Sequence, residues 1–203
     1  MPIFAALAAL SLASTPPGSL SIQLSHGSEA ERDTRDLLVQ LGSRYDLKPY
    51  LFTRAVLIDE QSLPHSHPVL TIHARHRKDP ELLLSTFLHE EAHWFVTAHY
   101  NKVSEAIRDL RILFPVIPLG GLDGSSDEEA NYVHLIVICL EYRADREYLG
   151  ELRSREIMNF WSEDHYRWLY RAVRDHGREI GAILIRHDLL ITHTGALRHP
   201  VAD

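Results

Sequence analysis

The chain holds a single cysteine, Cys139, in 203 residues. That excludes an intrachain disulfide and any zinc site built on thiolates. Between Ile138 and Leu140, the thiol is expected to act as a small buried hydrophobe rather than a nucleophile. Long apolar runs are also missing. The best candidate, Ile3 to Leu12, is about half of the ~20 residues a transmembrane helix needs. Basic excess is missing too: 21 Lys and Arg against 28 Asp and Glu give a net charge of −7, which speaks against nucleic acid as a partner. What remains is an ordinary globular composition, 45% hydrophobic and 24% charged, at a length that suits one domain with a sizeable core. Histidine is the exception, with 14 copies.

Residues 1–25 differ from the rest. Ile3 to Leu12 is apolar and Ala-rich, and Ala13-Ser14-Thr15-Pro16-Pro17-Gly18 follows. That pattern reads as a secretory signal peptide without the usual basic start, or else as a disordered N-terminus. Export to the periplasm or outside the cell follows from the first reading, and a cytoplasmic location from the second. Residues 26–203 are expected to form one domain.

Ser28 with Glu31 makes a capping box for a helix running to Arg44. Tyr50 to Asp59 and Val69 to Ala74 read as strands, separated by a Pro-containing loop. Asp79-Pro80 is a strong helix start, and no Gly or Pro interrupts the chain from Glu81 to about Lys102. Residues 114–124 carry two prolines and three glycines and must be irregular. Ser126 with Glu129 opens an apolar helix from about Asp127 to Gly150 that can continue to Trp161. Ser162 is expected to cap a further helix to His176, and a last one spans Arg178 to Leu190. The fold class is therefore α+β, mostly helical, with a small sheet ahead of the helix at 80–102.

That helix carries His89-Glu90-Glu91-Ala92-His93, an H-E-x-x-H pattern. Residues four apart share a helix face, so two imidazoles can hold one Zn²⁺ while Glu90 reaches a water beside it as general base. In a chain with so many histidines the pattern needs a third ligand to carry weight. Glu141 is the expected one: it emerges from the apolar run 135–140, where an unpaired charge is costly. Asp145, one turn on, would support a ligand from behind. His134 is the competitor, two turns before Glu141 and about 10 Å along the axis, so only one of the two can bind the ion directly. His65, His67, His73, His76 and His99 are expected to be surface or structural residues.

His89-Glu90-x-x-His93 followed by Glu141-x-x-Ala144-Asp145 resembles the gluzincin metallopeptidases, in particular the minigluzincin-like groups with a downstream E-x-x-A-D. The resemblance covers roughly residues 68–150. It implies a zincin-like fold, one Zn²⁺ on His89, His93 and Glu141, Glu90 as general base, Asp145 as a supporting residue, and a peptide or protein substrate. It also implies that the strand before the motif helix is an edge that pairs with extended substrate. His165 and Tyr166 are candidate donors to the oxyanion of the attacked carbonyl. Glu91 departs from the pattern, since zincins usually place an uncharged residue there. It favours the alternative, a catalytically inactive zincin-like domain that binds a partner or serves a structural role.

Overall fold

A computed structural model describes residues 20–192. Three short strands form a parallel sheet in the order β1-β2-β3, with β1 at Ser21–Leu24, β2 at Ala55–Ile58 and β3 at Leu70–Ile72. Register pairs Ile22 with Val56, and Val56 with Leu70. Among the described residues, five α-helices and two short 3-10 turns (Lys48–Tyr50 and Ala74–His76) accompany the sheet: α1 (Glu29–Arg44), α2 (Pro80–Ala98), α3 (Tyr100–Leu113), α4 (Glu128–Asp164) and α5 (Arg167–Arg186). The class is α+β and mostly helical, with the sheet ahead of the motif helix. Among the described residues no helix is long and apolar enough to cross a membrane. The leader reading of residues 1–25 lies mostly outside the described residues. Ser21–Leu24, inside that range, is instead a strand of the fold.

Parallel neighbours need a crossover, and α1 supplies it between β1 and β2. Ser28 caps α1 by accepting from Glu31 N at 3.2 Å. The reciprocal half of the capping box is displaced. Glu31 reaches past Ser28 and accepts from His26 N and Gly27 N at 2.8 and 2.7 Å, while its other oxygen takes Glu60 N at 3.3 Å. One buried carboxylate therefore ties the start of α1 to the end of β2.

α2 is the centre of the molecule. Asp79 accepts from Leu82 N at 3.1 Å and Pro80 occupies the first turn, as the sequence predicts. Leu83, Leu84, Phe87 and Leu88 pack on the sheet and α1, whereas Leu82, Ala92, Phe95 and Val96 pack against the other helices. A helix apolar on both sides is buried on both sides, which leaves its polar residues inside the protein. It ends earlier than the sequence predicts: His99 breaks it, its Nδ1 donating to Phe95 O at 2.8 Å, and α3 starts one residue later. No Gly or Pro marks that break.

α4 is capped by Asp127, which accepts from Ala130 N at 2.7 Å, and not by Ser126. Gly150 interrupts its course with φ 79° and ψ 169°, a conformation open only to glycine. Ser162 lies inside α4, so it does not cap the next helix. That place is taken by Tyr166, left-handed at φ 48° and ψ 36°. α5 is broken at His176 (φ −121°, ψ 21°), beside the boundary expected between the two C-terminal helices.

Candidate metal centre

α2 and α4 pack side by side, and their polar residues meet at the seam. From α2 come Ser85, His89, Glu90 and His93; from α4 come His134, Glu141 and Asp145, spaced by seven and four residues and so on one face. Ligand atoms of His89, His93 and His134 all lie within 4.8 Å of one another. The Nε2 atoms of His89 and His93 are 3.3 Å apart. Two nitrogens held at about 2.05 Å by a tetrahedral ion stand roughly 3.3 Å apart.

Hydrogen bonds fix which nitrogen of each ring is free. His89 Nδ1 donates to Glu141 Oε2 at 2.8 Å, and His134 Nδ1 donates to Ala130 O at 2.7 Å. A carbonyl and a carboxylate only accept, so each of the two Nδ1 atoms carries a proton, and in the neutral ring the Nε2 lone pair is then left for an ion. This is how metal-binding histidines are usually oriented. Burial, helped by His89, holds His93 down to about 2 and His134 down to about 4, so both rings are neutral. Burial pulls His89 down too, but contact with Glu141 outweighs it and the net direction is upward.

Glu141 meets His89 at Nδ1, while the ligand atoms that come together are those of His89, His93 and His134. His89 stands between its two competitors, turning Nδ1 to Glu141 and Nε2 toward His93 on the other edge of the ring. Of the two α4 candidates, His134 brings a ligand nitrogen into the cluster with His89 and His93, and Glu141 contacts the other nitrogen of His89. Glu141 is 3% exposed and accepts three donors: Ser85 Oγ at 2.7 Å, His89 Nδ1 at 2.8 Å and Tyr170 OH at 3.0 Å. Asp145 does not touch a histidine. Its Oδ2 lies 2.9 Å from Ser85 Oγ, which also receives Trp161 Nε1 at 3.0 Å. Ser85, Trp161 and Tyr170 were not legible as site residues. The only signal was Ser85, one turn before His89.

Glu90 is 6% exposed and its carboxylate makes no hydrogen bond among the described residues. Burial pushes it up to about 7, against the pull of His89 and His65. A carboxylate poised there can take and return a proton near neutral pH. Glu91 points elsewhere. Its Oε2 accepts from Phe52 N and Thr53 N at 2.7 and 3.0 Å and pins the segment before β2. Adjacent helix residues are about 100° apart, so the second carboxylate does not crowd the site.

Two further groups border the trio. The Tyr166 ring is 4.4 Å from that of His134. His165 donates Nδ1 to Asp164 Oδ2 at 2.9 Å, and Arg75 clasps Asp164 from the other side. Three other histidines have local work: His73 caps a short 3-10 turn, His67 stacks on Trp94 at 4.2 Å, and His99 ends α2. His65 N and O pair with Thr71 on the outer side of β3 at 3.1 and 2.8 Å. The edge expected to receive substrate is thus covered at Thr71 by the chain's own loop. Cys139 is buried, and burial pushes its thiol up to about 11. A second cluster, His26, Glu31 and Asp59, is already saturated by backbone N–H donors to Glu31. No family model, curated protein or solved structure matches this chain.

Proposed function

We propose that this chain is a zinc-dependent hydrolase in which His89, His93 and His134 hold one Zn²⁺ and Glu90 is the general base. The observation that carries this reading is the meeting of three imidazoles, His93 and His134 held neutral by burial and His89 and His134 committed through Nδ1 to hydrogen bonds, beside a buried carboxylate that makes no hydrogen bond among the described residues. Bound there, the ion would polarise a carbonyl and make a nearby water acidic enough to lose its proton near neutral pH. Glu90, raised to about 7, accepts that proton and returns it to the leaving group. His165 commits its Nδ1–H to Asp164, and burial lowers its pKa, so its Nε2 presents a lone pair that can accept a hydrogen bond from substrate. Tyr166, held in a left-handed conformation beside His134, offers a hydroxyl. Peptide bonds are the substrate class we assign, and a zincin-like kinship is part of the same reading.

Substituting Glu90→Gln tests it. The variant is expected to keep stoichiometric zinc and to lose roughly 10²–10⁴-fold in peptide hydrolysis. Equal hydrolysis by both proteins would remove Glu90 from the mechanism. Coverage of β3 by His65 favours a second reading, a zinc-stabilised domain without turnover. It predicts that no peptide is cleaved by the wild type, and that chelation lowers thermal stability.

A further inference from the structure

Ser85 Oγ has three close partners and one proton. Trp161 Nε1–H fills one lone pair at 3.0 Å. Glu141 Oε1 lies at 2.7 Å and Asp145 Oδ2 at 2.9 Å. A hydroxyl carries one hydrogen and accepts through two lone pairs. It can donate to one carboxyl group only, so the other must bring a proton of its own or face Ser85 lone pair to lone pair. Glu141 is the group equipped to be an anion, because His89 Nδ1–H and Tyr170 O–H also point at it. Asp145 has no such support. It is 1% exposed, and its Oδ1 is buried with no hydrogen-bond partner among the described residues.

We infer that Asp145 is a neutral carboxylic acid at physiological pH and acts as a positioning residue. Its O–H occupies the second lone pair of Ser85, and this turns the Ser85 proton onto Glu141. Without it, the hydroxyl is free to bond back to the carbonyl one turn earlier in its own helix, the usual alternative for a mid-helix serine. With it, the chain Asp145–Ser85–Glu141–His89 has one direction, and His89 keeps the tautomer that frees Nε2. The groups facing Asp145 agree. Glu141 on its own helix and Glu81 on α2 are both acidic, Trp161 and Tyr170 are neutral, and no cation contacts it among the described residues. Burial, followed by the nearness of Glu141, raises its carboxyl well above the ordinary range.

The test is Asp145→Asn, whose amide N–H can replace the acid O–H. A group whose folded pKa is raised stabilises fully only below its unfolded pKa, and loses that contribution as pH rises through the folded value. Removing the ionisable group therefore raises the melting temperature at neutral pH and changes it little near pH 4. A lower melting temperature at pH 7 than at pH 4, relative to wild type, would overturn the inference. Infrared difference spectra of the wild type at pH 7 should show a protonated carboxyl band that Asp145→Asn removes; its absence would overturn the inference as well. Positioning is read separately, and this arm alone rests on the proposed zinc site. Asp145→Asn should hold Zn²⁺ within about threefold of wild type, while Asp145→Val should bind it at least tenfold more weakly. Equal zinc affinity in the two variants would remove the positioning role. If neither they nor the wild type binds zinc, the metal reading fails, while the infrared and melting results still decide the protonation state.

Discussion

Replacing Glu141 by Gln separates a residue that orients a ligand from one that is a ligand. The carboxylate receives three donors: Ser85 Oγ, His89 Nδ1 and Tyr170 OH. A glutamine can present its carbonyl where Oε2 now accepts His89 and Tyr170, and its amide where Oε1 meets Ser85. Ser85 must then reverse, receiving from the amide and donating to Asp145. Nearly every hydrogen bond survives and the fold is retained; what is lost is the negative charge behind His89. Losing such an outer partner typically weakens a metal site 10–100-fold, or about 1.4–2.7 kcal/mol. The expected Kd for Zn²⁺, measured by competition with a chromophoric chelator, rises by that factor. Thermal melting of the metal-free protein serves as the control. An unchanged Kd would refute the coupling of Glu141 to His89. A loss as complete as that of His89→Ala would refute its outer position and restore it as a ligand.

Glu91→Ala leaves Phe52 N and Thr53 N without their shared acceptor, and each unsatisfied donor costs about 1–3 kcal/mol. Urea unfolding should show that loss with zinc stoichiometry unchanged; a metal defect without destabilisation would contradict the structural role. Glu31 is held at about 2 by the His26 contact and by backbone N–H groups, against the upward push of burial. A depressed folded pKa means stability that is present above the unfolded value, near 4.3, and lost as pH falls toward about 2. The difference in urea midpoint between wild type and Glu31→Gln should therefore be largest at neutral pH and shrink in acid. Gly150→Ala forces a side chain into a backbone region used almost only by glycine and should destabilise by about 1–3 kcal/mol in thermal melts. A neutral substitution there would mean that the bend between the two halves of α4 can straighten.

Local signals carried most of the fold. Asp79-Pro80, the irregular segment 114–124 and the apolar run after Asn131 are written in adjacent residues, and each element lies where those residues place it. What failed was decided elsewhere in the molecule. The break at His99 comes from a side chain bonding its own helix, in a stretch without Gly or Pro. Strand β1 lies in a segment that reads as leader, and only pairing with β2 makes it a strand. In the candidate site, the placement of His89, Glu90 and His93 on one helix was legible because their spacing is a property of that helix. Choosing between His134 and Glu141 required the offset of α4 against α2, which the sequence of neither helix contains. Glu91 misled for the opposite reason: proximity in sequence suggested proximity in space, and one helical step turns it to another face.

An X-ray absorption spectrum of the zinc-loaded protein, compared with that of His134→Ala, addresses the ligand set itself. The wild type should show scattering from three imidazoles with Zn–N at about 2.0–2.1 Å. His134→Ala should lose one imidazole, and Glu141→Ala should keep all three. A two-imidazole spectrum untouched by His134→Ala, or a zinc signal absent from the wild type at stoichiometric loading, would contradict the three-histidine centre.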